Sequence, residues 1–267
     1  MILHYESFFL SSERRWLVFI HGAGGSMLTW KYQLDAFKPF FNLLLLDLRD
    51  HGKSKGVAPY REKYTIDLLG EDILVLLDQL KIRKAHFMSL SLGSIFVQFI
   101  GDKRPELIDR AIMAGAVCKA NIPMKVLAFV SQVVYPLLSF EQSYKLLSFV
   151  ILPRRGDRLG RKLFRAQARK MDPADFKKWM RLLNDFLRQL KVFFSHTFPA
   201  PGLIVMGSQD RVFHSAAQAY AEHQSHIQLV DMPGCGHVCN IEKPQVFNDI
   251  VLRFLLEAKH PRKLSEE

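Results

Sequence analysis

Two regimes of hydrophobic spacing alternate along the chain. WLVFI (16–20), LLLLD (43–47), AHFMSL (85–90), RAIMA (110–114), GLIVM (202–206) and IQLVD (227–231) are short apolar runs closed by polar residues or glycine. Near-continuous apolarity over five or six residues suits strands buried on both faces of a parallel sheet. Between the runs the spacing changes to threes and fours. Ile66, Leu69, Ile73, Leu76, Leu77 and Leu80 predict an amphipathic helix over 64–80, and Val246, Ile250, Val251, Phe254 and Leu255 another over 244–258. Strands alternating with such helices imply βαβ units: an α/β fold with a mostly parallel sheet flanked by helices. At the start, ILHYESFFL, SSER and WLVFI suggest an antiparallel hairpin at one sheet edge.

The alternation stops between 118 and 197. That stretch is helical in pattern, with breaks at Pro136, Pro153 and the Met171-Asp172-Pro173 turn, and strand signals resume at Gly202. The simplest organisation is one core domain, 1–117 and 198–267, with a helical cap, 118–197, inserted between two strands of its sheet. The first part of the cap carries Met124, Leu127, Phe129, Val130, Val133, Tyr135, Leu137 and Leu138. These either line a site for an acyl chain or pack the cap onto the sheet. The last eight residues, HPRKLSEE, read as a frayed tail.

Composition adds limits. Of 267 residues, 49% are apolar and 24% charged, the balance of a folded domain, and no run approaches the roughly 18 apolar residues of a membrane span. The N-terminus has no basic segment ahead of its apolar residues, and three cysteines are too few for a disulfide framework, so a cytoplasmic location is expected. The net charge of +11 is uneven: Arg154 to Lys191 holds thirteen Lys and Arg against four Asp. Such a block is either a solvated face or a basic surface for an anionic partner, including peripheral contact with an anionic surface. No nucleic-acid-binding motif accompanies it, so a nucleic-acid partner is not expected.

The chemistry centres on HFMSLSLGS, 86–94. A strand turning sharply into a helix leaves one residue strained and exposed at the apex, and only small residues fit two positions to either side, which is the mechanics of a nucleophile elbow. Ser91 is flanked in this way by Ser89 and Gly93. After WLVFI comes His21-Gly22-Ala23-Gly24-Gly25-Ser26, a loop able to turn a backbone N–H toward the elbow and, with the amide of Leu92, form an oxyanion hole. No Gly-Lys-Ser/Thr follows, so it is not a phosphate-binding loop. Serine needs a base, and His237 in MPGCGHVCNIEKP lies in a glycine-broken loop between the last strand and the last helix. Asp210 in LIVMGSQDRVF follows a strand and can orient that imidazole. Cys235, His237 and Cys239 match no usual zinc spacing; neither metal nor cofactor is expected.

Five separated motifs carry a family resemblance: HGAGGS (21–26), DLRDHGKS (47–54), SLSLG (89–93), GSQDRV (207–212) and GCGHVCNIEKP (234–244). In this order, each after an apolar run, they make the chain similar to the α/β-hydrolase superfamily, in its cap-bearing, esterase-like branch, over residues 14–258. The resemblance implies Ser91 as nucleophile, His237 as base, Asp210 as its acid, and Ala23 and Leu92 as oxyanion donors. Two positions depart from the family pattern, Ser89 and Asp50, where glycine is usual; Asp50 is expected to keep a left-handed turn. A serine nucleophile points away from dehalogenase and epoxide hydrolase relatives, and a basic cap away from aminopeptidases. The expected substrate is a small-molecule carboxylic ester, with an anionic group or an acyl chain. Alternatives are an esterase or thioesterase acting on acyl groups of an acidic carrier protein, and a small-molecule receptor that retains the triad.

Overall fold

The computed structural model describes residues 2–57, 63–134 and 137–257. Tyr135, Pro136 and the tail lie outside the described residues, as do the side chains of Leu127 and Val130. The strands are β1 (Tyr5–Phe8), β2 (Trp16–Ile20), β3 (Asn42–Leu46), β4 (Ala85–Leu90), β5 (Ile108–Ala114), β6 (Gly202–Gly207) and β7 (Ile227–Met232). They form one sheet in the order β1-β3-β2-β4-β5-β6-β7, parallel apart from β1. The helices are α1 (Leu34–Phe37), α2 (Ile66–Gln79), α3 (Gly93–Lys103), α4 (Ile122–Val134), α5 (Phe140–Ile151), α6 (Arg158–Ala168), α7 (Pro173–Arg181), α8 (Leu183–Ser195), α9 (His214–His223), α10 (Cys239–Glu242) and α11 (Pro244–Leu256).

The apolar runs are buried on both faces because the sheet separates two cores. Val18 and Ile20 face one core with Leu69, Ile73, Phe96 and Phe99 of α2 and α3. Leu17 and Phe19 face the other with Phe37, Phe247 and Val251. Alternation along a strand thus carries no polar face, which is why the runs read as continuous. Helix α2 begins at Thr65, whose hydroxyl accepts from the Leu68 amide. Helix α7 begins at Pro173 after an Asp172 cap, where the Met-Asp-Pro break predicts a new start.

The N-terminal hairpin does not form. β1 pairs antiparallel with β3, Tyr5 opposite Leu46 and Phe8 opposite Leu43. The reason is occupancy: β3 and β4 already take both sides of β2 as parallel partners. Helices α4 to α8 all fall between β5 and β6 in the chain. Among the described residues no helix is long and apolar enough to cross a membrane.

Candidate active site

β4 ends at Leu90 and α3 starts at Gly93, leaving Ser91 and Leu92 to make the turn. Ser91 has φ 53°, a left-handed conformation that costs a side-chain-bearing residue about 1 kcal/mol or more. The surroundings hold it there: its amide donates to Ala114 O at 2.9 Å, and its carbonyl accepts from the Ser94 amide and hydroxyl at 2.9 and 2.6 Å. Ser89, at the first small position, is fully buried and donates its hydroxyl to Ile112 O at 3.2 Å.

The loops after β6 and β7 bring two further side chains to the turn. Ser91 Oγ lies 2.8 Å from His237 Nε2, and His237 Nδ1 lies 2.7 Å from Asp210 Oδ2. With Nδ1–H donating to the carboxylate, Nε2 is left to accept the serine proton. Asp210 Oδ1 also accepts from the Val212 and Phe213 amides, each at 3.1 Å. Burial alone would raise the Asp210 carboxyl; the facing His237 ring and the amides outweigh it and hold it below its ordinary value. The His237 ring packs on Phe213 with centroids 4.6 Å apart.

Ala23 and Leu92 lie beside Ser91, and among the described residues neither backbone amide donates to another protein group. Two cavities meet at Ser91, sharing Ala23, Gly24, Ile151 and Phe164 as walls. The first is apolar and walled by α5 to α8, with Tyr144, Phe176, Trp179 and Phe186 in its lining. The second contains His237, Thr29, Lys31 and Tyr32.

Of the apolar residues at 124–138, expected either to line the site or to pack onto the sheet, some do neither. Met124 lines the first cavity, but Phe129, Val133 and Leu137 are 68%, 54% and 81% exposed and touch neither cavity nor sheet core. The α4 positions of Phe129 and Val133 face away from the sheet, Leu137 lies beyond that helix, and the later helices supply the apolar lining instead. The basic block also stays out of the site: among the described residues, no Lys or Arg from 154 to 191 lines either cavity at Ser91. Arg161 donates to the Leu152 and Arg154 carbonyls, and its guanidinium lies over the Phe149 ring.

The motif around Asp47 braces this arrangement. Asp47 accepts from the Met27 and Lys53 amides, both at 2.8 Å, tying the glycine loop to the turn that follows β3. In that turn Asp50 has φ 63°, and Arg49 is buried in a two-pronged pair with Asp72. Residues 21 and 51, both histidines, and Trp179 also adjoin the site, and the motif reading assigned them no role. The signal available was a histidine before glycine in each of two motifs. Among the described residues no three His, Cys, Asp or Glu side chains are grouped to hold a metal ion.

A model of the alpha/beta hydrolase family matches residues 17–250. The chain is 26% identical to 3-oxoadipate enol-lactonase 2 of Acinetobacter baylyi, over 93% of this chain and 91% of that protein. It superposes on the crystal structure of a hydrolase from Pseudomonas aeruginosa with a TM-score of 0.77 at 26% identity, covering 95% of this chain and 94% of the other. Est816, described as an N-acyl homoserine lactone degrading enzyme, shares the fold at TM-score 0.81 and 20% identity, over 94% and 96% of the two chains.

Proposed function

Since the chain belongs to the alpha/beta hydrolase family, we propose that it hydrolyses carboxylic esters through an acyl-enzyme on Ser91. The observation that carries this reading is the continuous relay Ser91 Oγ, His237 Nε2, His237 Nδ1, Asp210 Oδ2, with links of 2.8 and 2.7 Å. Ser91 Oγ attacks the ester carbonyl carbon as its proton passes to His237 Nε2. The carbonyl oxygen becomes an oxyanion between the Ala23 and Leu92 amides. Collapse breaks the C–O bond, and the departing alkoxide takes the proton from His237. Water then attacks the acyl-serine by the same relay, releasing the acid and restoring Ser91.

The leaving group must lie beside the imidazolium that protonates it. His237 lines the second cavity and not the first, so the acyl group occupies the apolar cavity and the leaving group the second. Lys31 in that second cavity favours an alcohol carrying negative charge. A lactone, whose alcohol stays tethered to its acyl group, undergoes the same chemistry, and the A. baylyi relative is named for a lactone.

The test is multiple turnover on p-nitrophenyl esters of graded acyl length, with a lactone and an acyl-thioester alongside. An ester hydrolase turns over repeatedly with a chain-length optimum, and Ser91→Ala removes the activity. A single turnover per protein would favour a receptor, and thioester-selective turnover the carrier-protein alternative.

A further inference from the structure

The glycine loop after β2 has glycine at 22, 24 and 25, so its peptide planes are free to rotate unless something holds them. Two buried histidines do, together with the Gly25 amide, which donates to Gly22 O at 3.0 Å. His21 Nδ1 lies 2.7 Å from Gly22 O, and His21 Nε2 accepts the Leu48 amide at 3.0 Å, which places the ring proton on Nδ1 as a donor to Gly22. Gly24 N–H donates to His51 Nε2 at 3.0 Å, and His51 Nδ1 lies 2.9 Å from Arg49 O, which places that proton on Nδ1 as well. Ala23 sits between the two peptides so held. Its own N–H belongs to the Gly22–Ala23 peptide, in which C=O and N–H point opposite ways. With the carbonyl engaged by buried His21 and by the Gly25 amide, the N–H is turned toward the opposite side, where Ala23 lines both cavities at Ser91.

We propose that His51 is a positioning residue that aims the Ala23 amide at the oxyanion through the Gly24 amide, completing the hold that His21 and the Gly25 amide have on the Gly22 carbonyl. The inference rests on the ester-hydrolase reading given above. His51 further joins this loop to α7: its ring meets Trp179 edge-on at 4.7 Å and 87°, and Trp179 Nε1 donates to the neighbouring Asp50 Oδ2 at 3.3 Å. The helix that roofs the apolar cavity therefore bears directly on the residue that holds the loop. Burial keeps both rings neutral near pH 7, as acceptance of an amide proton at Nε2 requires.

Two variants at position 51 separate aiming from packing. His51→Phe keeps a ring against Trp179 but leaves Gly24 N–H without an acceptor. His51→Gln places an oxygen near the former Nε2. Loss of one oxyanion donor lowers kcat by about 100- to 1,000-fold in other hydrolases, so a misaimed one should cost about 10- to 100-fold. We expect that loss in kcat for His51→Phe with KM within about twofold, and no more than about threefold loss for His51→Gln. The affinity of a trifluoromethyl ketone, which forms an oxyanion on the serine, should fall in proportion to kcat/KM. Equal kcat in the two variants, or a loss confined to KM, overturns the proposal. If His51→Phe does not fold, ¹⁵N spectra of histidine-labelled parent protein decide: a protonated Nδ1 and bare Nε2 at His51 support it, and a protonated Nε2 overturns it. Ser91→Ala is assayed in parallel. Turnover surviving in that variant overturns the nucleophile assignment and the positioning role together; an inert Ser91→Ala with indistinguishable position-51 variants overturns the positioning role alone.

Discussion

Asp210 and His237 face each other across 2.7 Å with relative exposures of 4% and 3%, so neither side chain can exchange its partner for water. An Asn at 210 would fit the space but could offer its NH₂ to Nδ1, favouring the tautomer with the proton on Nε2, where the serine needs an acceptor. Asp210→Asn should lower kcat by about 1,000- to 10,000-fold with little change in KM. Steady-state hydrolysis of the best p-nitrophenyl ester measures this.

The two serines of the elbow should separate cleanly. Ser89→Ala removes one buried hydroxyl bonded to Ile112 O and should cost about 1 kcal/mol of stability while leaving most activity. Ser91→Ala should abolish turnover while the protein stays folded. Reversed outcomes in paired activity and urea-unfolding measurements would place the nucleophile at 89.

Gly93 touches the backbone of the neighbouring strand. A Cβ there would stand 2.5 Å from Ile20 O, closer than any side chain tolerates. Gly93→Ala must push α3 away from β2, and both Ser91 and the Leu92 amide ride on that contact. We expect a loss of about 1–3 kcal/mol in chemical unfolding together with a fall in kcat.

Acid should destabilise the fold before its carboxylates are protonated. Burial lowers His21 and His86 from 6.5 to about 4 and His51 to about 3. Between those values and 6.5 the unfolded chain binds protons that the folded one refuses, so stability falls as pH drops below about 6.5. For each ring the effect reaches on the order of 3 kcal/mol by pH 4. Urea titrations at pH 6.5, 6.0, 5.5 and 5.0 should show the decline, and removing His86 should shallow it by about one proton's slope.

The basic block should act at long range if it acts on catalysis at all, because its side chains stay outside both cavities. Reversing exposed Arg158, Lys162 and Lys177 should lower kcat/KM for an anionic ester and spare a neutral one of equal size. Raising salt should imitate that change, since exposed charges are screened beyond about 10 Å at 0.1 M. Identical responses of the two esters would assign the block to solvent or another partner.

The sheet was legible because burial on both faces leaves an uninterrupted apolar run at each parallel strand. The loops bearing Ser91, Asp210 and His237 were legible because each turn needs small residues, which stand out against those runs. The partner of β1 was not legible, since pairing depends on which strand edges remain free after the rest of the sheet assembles. Nor was the cavity lining: α4 carries apolar residues around its circumference, and sequence alone does not say that Met124 points inward while Phe129 points out. The role of His51 depends on Gly24, 27 residues away, and on Trp179, much farther. Only the folded chain brings those three together.

The left-handed backbone at position 91 sets the fold's own preference against its chemistry. Glycine adopts φ 53° without the steric conflict a Cβ creates, so Ser91→Gly should melt higher than the parent while hydrolysing nothing. A library of this chain sorted by heat resistance alone would therefore drift toward glycine at that turn. On the ester-hydrolase reading, serine persists at 91 only under a selection that counts product.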